Sequence, residues 1–143
     1  MIFNYTGEPM DDITRVKYLP IALKIIGLFF IFAIYPMMVW IWPTGWGWTP
    51  PQPEYEQIVM GIFATLGVFL FLAAENPAAN VSLIWFTIWL NLVYATIMLL
   101  MVLADRTEQA NLIGNIPVQY LIAGVLWYLM PTHNFRKKKN ASD

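Results

Sequence analysis

The sequence predicts an all-α integral membrane protein, an antiparallel four-helix transmembrane bundle with both termini in the cytoplasm. Three observations lead to this prediction: an apolar composition, four long apolar runs, and basic residues that cluster near the two ends of the chain. Hydrophobic residues make up 59% of the 143 residues, charged residues only 12%, and the mean hydropathy is +0.56. A soluble domain is about one quarter charged, and a small one leaves much of its surface in water. The composition therefore excludes an ordinary soluble enzyme and a disordered chain.

The charge balance and the cysteine count exclude further classes of protein. The net charge is −1, so the chain has no basic field to attract the phosphates of a nucleic acid. The absence of cysteine excludes disulfides and thiolate metal sites. A single membrane domain over residues 1–143 is the expected organisation.

Four runs are long enough to cross a bilayer, whose apolar core of about 30 Å requires roughly 20 residues of helix. The predicted spans are residues 19–42, 55–74, 81–104 and 112–130. Only Lys24 is charged within the first span, and Pro36 predicts a kink there. The connections are about 12, 6 and 7 residues long, and short connections make neighbouring helices antiparallel. Residues that begin or end helices stand near the limits of the spans: Pro20, Pro43, Gly45, Pro77, Asp105 and Pro131.

The distribution of basic residues predicts the orientation. Four spans place both termini on one side of the membrane. Seven of the eight basic residues lie on that side: Arg15, Lys17, Lys24, Arg136, Lys137, Lys138 and Lys139. The positive-inside rule makes this side cytoplasmic, so we expect a multi-pass protein of the inner (cytoplasmic) membrane. Residues 131–143 then form a basic cytoplasmic tail, in which Arg136 to Lys139 are candidate contacts for anionic lipid.

Tryptophan is concentrated at the end of the first span and in the loop that follows it. Four of the seven tryptophans lie here, namely Trp40, Trp42, Trp46 and Trp48. They indicate first an aromatic belt at the membrane interface; the alternative is a docking surface for a partner or flat ligand, because tryptophan is enriched at binding hot spots. Trp85 and Trp89 lie on a face of the third span different from that of Asn91, and are expected to face lipid or a partner.

Polar side chains inside the third and fourth spans are the candidate binding residues. Asn91 and Tyr94 share a face of the third span with Thr87 and Met98, and Asn115 and Gln119 share one of the fourth with Ala123 and Trp127. Both faces should point inward, because unpaired polar groups in hydrocarbon cost several kcal/mol. Depths in the membrane, estimated from the helical rise, place Tyr94 within reach of Gln119. They place Asn91 level with Gly124, so that Asn91 is not expected to contact Gln119. Interhelical hydrogen bonds and a ligand pocket are both compatible with these positions.

Two further sets of residues have mainly structural interpretations. Gly61, Ala64, Thr65 and Gly67 in the second span predict close packing against a neighbouring helix. Glu54 and Glu56 suit the start of a helix, where the helix dipole favours negative charge.

Reactive side chains are scarce within the predicted spans. None of the spans contains a histidine, the usual axial ligand of haem, and no cluster of acidic residues and histidine suggests a catalytic metal site. We therefore predict no catalytic residues, no metal and no bound cofactor, although a quinone, pigment or lipid remains compatible. The only histidine, His133, lies at the expected inner edge.

Several segments together resemble uncharacterised bacterial membrane proteins of about this length. The segments are Trp42-Pro-Thr-Gly-Trp46, Pro53-Glu-Tyr-Glu56, Gly67-Val-Phe-Leu70, Asn76-Pro77, Ser82-Leu-Ile-Trp-Phe86 and Met130-Pro131. Such proteins often have histidine where this chain has Tyr94, so no histidine role carries over, and the resemblance implies no activity. In size and topology the chain is also similar to the DoxX-like group of four-helix membrane proteins.

The leading functional hypothesis is a non-enzymatic accessory or scaffold subunit. It would pack its aromatic residues against another membrane subunit, a second copy of itself, or membrane lipid. The alternative is a membrane-embedded enzyme or binding protein for a quinone-like or isoprenoid lipid. Its pocket would lie between the third and fourth helices, where Asn91, Tyr94, Asn115 and Gln119 would orient the ligand.

Overall fold

The computed structural model describes residues 10–46 and 50–131, and this part of the chain is helical without strands. Four helices are long and apolar enough to cross a membrane: Asp12–Ile41, Pro53–Ala73, Pro77–Ala104 and Gln109–Leu129. The α-helical segments are α1 (Met10–Leu28), α2 (Ile34–Pro36), α3 (Pro43–Trp46), α4 (Pro53–Ala73), α5 (Val81–Ala104) and α6 (Asn115–Leu129). The prediction of an all-helical chain with four helices long and apolar enough to cross a membrane is therefore confirmed.

The first long helix widens on both sides of Pro36. The segments Phe29–Ala33 and Met37–Ile41 are π-helical, and the Ile34 amide donates to the Phe29 carbonyl five residues earlier. Proline lacks an amide hydrogen and its ring collides with the carbonyl four residues before it. A wider turn relieves that collision, so the helix continues to Ile41.

Two polar caps begin the 3-10 helices that precede α5 and α6. The Asn76 side chain accepts a hydrogen bond from the Ala79 amide at 3.3 Å, beginning the helix Pro77–Asn80. Asp105 accepts from the Thr107 amide at 2.9 Å, beginning the helix Arg106–Leu112. This hydrogen bond stabilises the carboxylate and lowers the pKa of Asp105.

Two glycines allow the backbones of α1 and α4 to approach closely. A Cβ placed on Gly67 would lie 2.6 Å from the Gly27 carbonyl oxygen, and one on Gly27 would lie 2.7 Å from that of Gly67. The close packing expected at Gly67 is therefore present. The same expectation for Gly61 is wrong, because a Cβ there would meet nothing within 4 Å.

The main core draws apolar side chains from all four long helices. Its most deeply buried members are Leu19, Leu23, Phe30, Leu70, Ile84, Ile88 and Leu126. On α6, Asn115, Gln119 and Ala123 are buried as expected, whereas Trp127 is 52% exposed. Steps of four residues each turn the helix about 40° too far, so three of them rotate a stripe by about 120°. Leu126 therefore occupies the interior in place of Trp127.

Candidate functional site

Buried polar side chains concentrate between α5 and α6. In the described part of the chain, six polar residues are at most 3% exposed, and Asp12 is the only one outside α5, α6 and the 3-10 helix between them. The other five, together with the half-buried Tyr94, form what we call the polar cluster: Thr87, Asn91, Tyr94, Asn111, Asn115 and Gln119. All four predicted polar site residues belong to this cluster.

Three of the predicted residues form one hydrogen-bonded chain. The Asn115 amide Nδ2 donates to the Tyr94 hydroxyl at 3.1 Å, and the Gln119 amide Nε2 donates to Asn115 Oδ1, also at 3.1 Å. The expected approach of Tyr94 to Gln119 is thus made through Asn115. Asn115 occupies this position because it is one helical turn before Gln119 on the same face of α6.

Asn91 and Thr87 bond to their own helix. The Asn91 amide Nδ2 donates to the Thr87 carbonyl at 2.7 Å, and the Thr87 hydroxyl donates to the Leu83 carbonyl at 2.8 Å. The two amide oxygens Asn91 Oδ1 and Gln119 Oε1 are buried without a hydrogen-bond partner. A buried acceptor without a partner is costly, on the order of 1–3 kcal/mol. Asn91 Oδ1 and Gln119 Oε1 are therefore acceptors of the polar cluster that no hydrogen-bond donor among the described residues satisfies.

Aromatic rings pack against the polar cluster from the α1 and α4 side. The Phe63 ring meets the Tyr94 ring edge-on at 5.5 Å, and the Phe30 ring meets Phe63 at 5.0 Å. Tyr94 is therefore held by an aromatic contact on one side and by the Asn115 amide on the other. These two contacts place the Tyr94 hydroxyl against the start of α6.

The short helix α3 folds back over the start of α6. A Cβ on Gly114 would collide with the Gly45 carbonyl oxygen, so the two backbones touch immediately before Asn115. Trp46 is 3% exposed, its ring lies 6.1 Å from that of Phe29, and its indole Nε1 has no hydrogen-bond partner among the described residues. This segment closes the end of the polar cluster that Asn115 occupies.

The predicted contact tryptophans occupy different environments. Trp46 lies in the core and Trp42 is half-buried against it, whereas Trp40 is 71% exposed and meets the Tyr35 ring edge-on at 5.7 Å. Within one chain, the indole of Trp46 is thus not available to a partner. Trp48 and the basic residues Arg136, Lys137, Lys138 and Lys139 lie outside the described residues, as does His133.

A tryptophan cluster joins α5 to α6 on the outer surface. The rings of Trp85 and Trp89 lie 5.4 and 6.5 Å from that of Trp127, in edge-to-face arrangements. Trp89 and Trp127 are both more than half exposed, and Trp85 is half-buried. We call these three residues the tryptophan cluster. Trp127 is a member that the sequence analysis assigned to the interior instead.

Sequence reasoning also missed a buried acidic residue. Asp12 is 3% exposed and lies 3.9 Å from Arg15, whose guanidinium stands 5.0 Å above the ring of Tyr128. The three-residue spacing of Asp12 and Arg15 is a readable signal for an ion pair on one helix face. Their contact with Tyr128 is not readable, because that residue is more than one hundred positions away.

Two apolar grooves lie apart from the polar cluster. One, of about 380 Å³, separates α1 from α6 and includes Phe29 and Ile122. The other, of about 570 Å³, separates α4 from α5 and includes Gly61 and Phe86. No residue of the polar cluster lines either groove. Among the described residues, no group of three histidine or acidic side chains lies close enough together to hold a metal ion.

Comparison with known sequences assigns the family of this chain. It belongs to DUF6632, a family of unknown function whose model matches residues 13–142. This agrees with the resemblance to an uncharacterised family. No curated protein and no solved structure matches the chain.

Proposed function

We propose that this chain is a non-enzymatic accessory or scaffold subunit of the inner (cytoplasmic) membrane, a single antiparallel four-helix bundle with cytoplasmic termini. The contacts between α5 and α6 support opposite helix directions. Trp85 and Trp89 near the start of α5 contact Trp127 near the end of α6, whereas Tyr94, farther along α5, contacts Asn115 at the start of α6. The excess of lysine and arginine near the two termini supports the orientation.

The tryptophan cluster is the observation that carries the accessory role. Exposed apolar side chains are ordinary on a surface that faces lipid. Three indoles fixed edge-to-face across two helices additionally make a large, preorganised surface, which loses little conformational entropy when another helix packs on it. Tryptophan dominates binding energy in many interfaces. We therefore propose Trp85, Trp89 and Trp127 as the contact with another membrane subunit or a second copy.

Native mass spectrometry of the protein, gently extracted from its own membrane, tests this role. We expect wild type to carry a second subunit, and Trp89→Ala with Trp127→Ala to lose it, because the substitutions remove most of the exposed indole surface. Trp40→Ala is the matched control, since Trp40 is exposed but lies outside the cluster. A wild-type protein recovered as a monomer without companions would contradict the accessory role.

A second candidate function is the binding of a quinone-like or isoprenoid lipid, with or without an enzymatic step, between α5 and α6. The observation that favours it is the pair of unpartnered amide oxygens on Asn91 and Gln119. Because these atoms are acceptors, the lipid must offer a hydroxyl, as a quinol or an isoprenoid alcohol does. Asn91→Leu should then lose a lipid that wild type retains through purification. Equal lipid content in the two proteins would exclude this function.

A further inference from the structure

The Asn91 and Gln119 side chains each donate one hydrogen bond through the amide nitrogen. Asn91 faces the Thr87 carbonyl, which can only accept, so its Nδ2 donates there and its Oδ1 points away. Gln119 donates its Nε2 to Asn115 Oδ1, which leaves Oε1 without a partner. Both residues are at most 2% exposed. Each therefore presents an acceptor to the interior.

The contact between Tyr94 and Asn115 places these two acceptors at a similar depth. Asn91 lies about 4.5 Å along α5 from Tyr94, and Gln119 lies about 6 Å along α6 from Asn115. Since the two helices run in opposite directions, both steps lead the same way from that contact. Asn91 and Gln119 thus lie at a similar depth on neighbouring helices, whereas the depths estimated from the span boundaries kept them apart.

Two carbonyl oxygens cannot satisfy each other, because neither has a hydrogen to donate. A molecule with two O–H donors can satisfy both at once, and a buried water ordinarily makes about three hydrogen bonds to such polar groups. We propose that Asn91 and Gln119 hold a buried water molecule that donates one hydrogen bond to each amide oxygen. Both side chains are at most 2% exposed, which favours water over the lipid hydroxyl of the second candidate function, and the experiments below distinguish these two occupants of the same acceptors. This inference does not depend on the accessory role.

Solid-state NMR of the full chain in lipid bilayers tests the water directly. With ¹⁵N-labelled side-chain amides, we expect magnetisation from water protons to reach both Asn91 and Gln119. Asn91→Leu should reduce the transfer to Gln119 several-fold, and Gln119→Met should do the same for Asn91. Thr96→Val, whose hydroxyl lies outside the cluster, should change neither signal. Absence of water transfer in wild type would overturn the proposal.

Thermal unfolding of the same variants provides a second readout. If water bridges the two oxygens, each single substitution lowers the midpoint temperature, and the second substitution made in the presence of the first causes little further loss. If the oxygens are unpartnered, each apolar substitution raises the midpoint independently, because it removes a buried unsatisfied group. The second result would overturn the bridge.

Two other occupants have their own signatures. An alcohol-bearing lipid present at one molecule per chain, and lost in Asn91→Leu, would show that a lipid hydroxyl fills the site and would overturn water. A second possible result is that the two substitutions are non-additive in midpoint temperature while no water transfer is seen. It would show that the Gln119 amide rotates to bond Asn91 directly, which also overturns the proposal. None of these results depends on the tryptophan cluster, so the accessory role is tested separately.

Discussion

Single side chains determine how closely the helices approach and which polar groups are paired inside them. Gly27 and Gly67 bring the backbones of α1 and α4 together because neither has a Cβ. Tyr94 supplies the hydroxyl that receives the Asn115 amide across the α5–α6 boundary. In lipid, burial of apolar area does not favour helix association, so packing and interhelical hydrogen bonds carry more of the specificity.

Gly67→Ala should destabilise the protein by about 1–3 kcal/mol, because the new methyl group overlaps the Gly27 backbone. Gly61→Ala on the same helix is the matched control. Its added Cβ meets nothing, so we expect no loss, or a gain of up to about 1 kcal/mol from helix propensity. Reversible unfolding in detergent or bicelles measures both changes. Equal losses in the two variants would contradict the close α1–α4 contact.

Tyr94→Phe should cost about 1 kcal/mol, because it keeps the ring contact with Phe63 but removes the hydroxyl that receives the Asn115 amide. Tyr120→Phe is the comparison. Tyr120 bonds the Thr96 hydroxyl, which retains its own bond to the Leu92 carbonyl at 2.7 Å, so we expect a smaller loss. If the unfolding free energy is unchanged in Tyr94→Phe, the Asn115 amide donates to another acceptor in that variant.

At the scale of elements, the short helix α3 contributes more to tertiary packing than its four residues suggest. It inserts Trp46 into the core beside Phe29 and rests on the backbone of Gly114. The π-helical segment Met37–Ile41 lies directly before it and redirects the chain at Trp42, where the helix ends. The proline- and glycine-rich composition of this loop allows the sharp return.

Gly114→Ala should loosen α3, because the added methyl group collides with the Gly45 backbone. An overpacking cost of about 1–3 kcal/mol corresponds to about five- to hundredfold faster opening. Hydrogen–deuterium exchange should therefore accelerate in residues 44–46 while the middle of α4 stays protected. Gly124→Ala, where a Cβ meets nothing, should leave both segments unchanged. Unchanged exchange in Gly114→Ala would contradict the docking of α3.

At the scale of the whole molecule, aromatic residues stand toward both ends of the long helices. Trp40 and Tyr55 lie exposed at one end, and Tyr18, Trp127 and Tyr128 at the other. This distribution is typical of the two interfacial belts of a membrane protein. It supports the embedding of the four helices in a membrane. The orientation of the chain is indicated only by the distribution of basic residues.

Single-cysteine labelling in intact cells should determine the topology, because the natural chain has no cysteine. We expect Gln52→Cys and Gln109→Cys to react with a membrane-impermeant maleimide from outside. Glu75→Cys should react only after permeabilisation. All three positions are exposed, so burial within the protein does not protect them. The reverse pattern of reactivity would place the termini outside.

Composition and run length were sufficient for the membrane class, the number of long helices and much of the polar cluster. Helical spacing correctly grouped Asn115 with Gln119 and Asn91 with Thr87, because neighbours on one helix follow from its repeat alone. Contacts between helices were harder to predict. Three predictions relied on assumed depths and rotations of the helices and were wrong. They were the direct contact of Tyr94 with Gln119, the inward position of Trp127 and the close packing at Gly61.

Four apolar helices follow from the amino-acid pattern alone, since a bilayer requires long apolar segments whose backbone groups are satisfied internally. Packing of the helices in three dimensions, by contrast, places Asn115 between Tyr94 and Gln119, turns Trp46 inward, and brings Gly67 rather than Gly61 against a neighbour. These outcomes depend on the rotation and axial shift of one helix against another. Packing sets both quantities jointly across the bundle, so no local stretch of sequence specifies them.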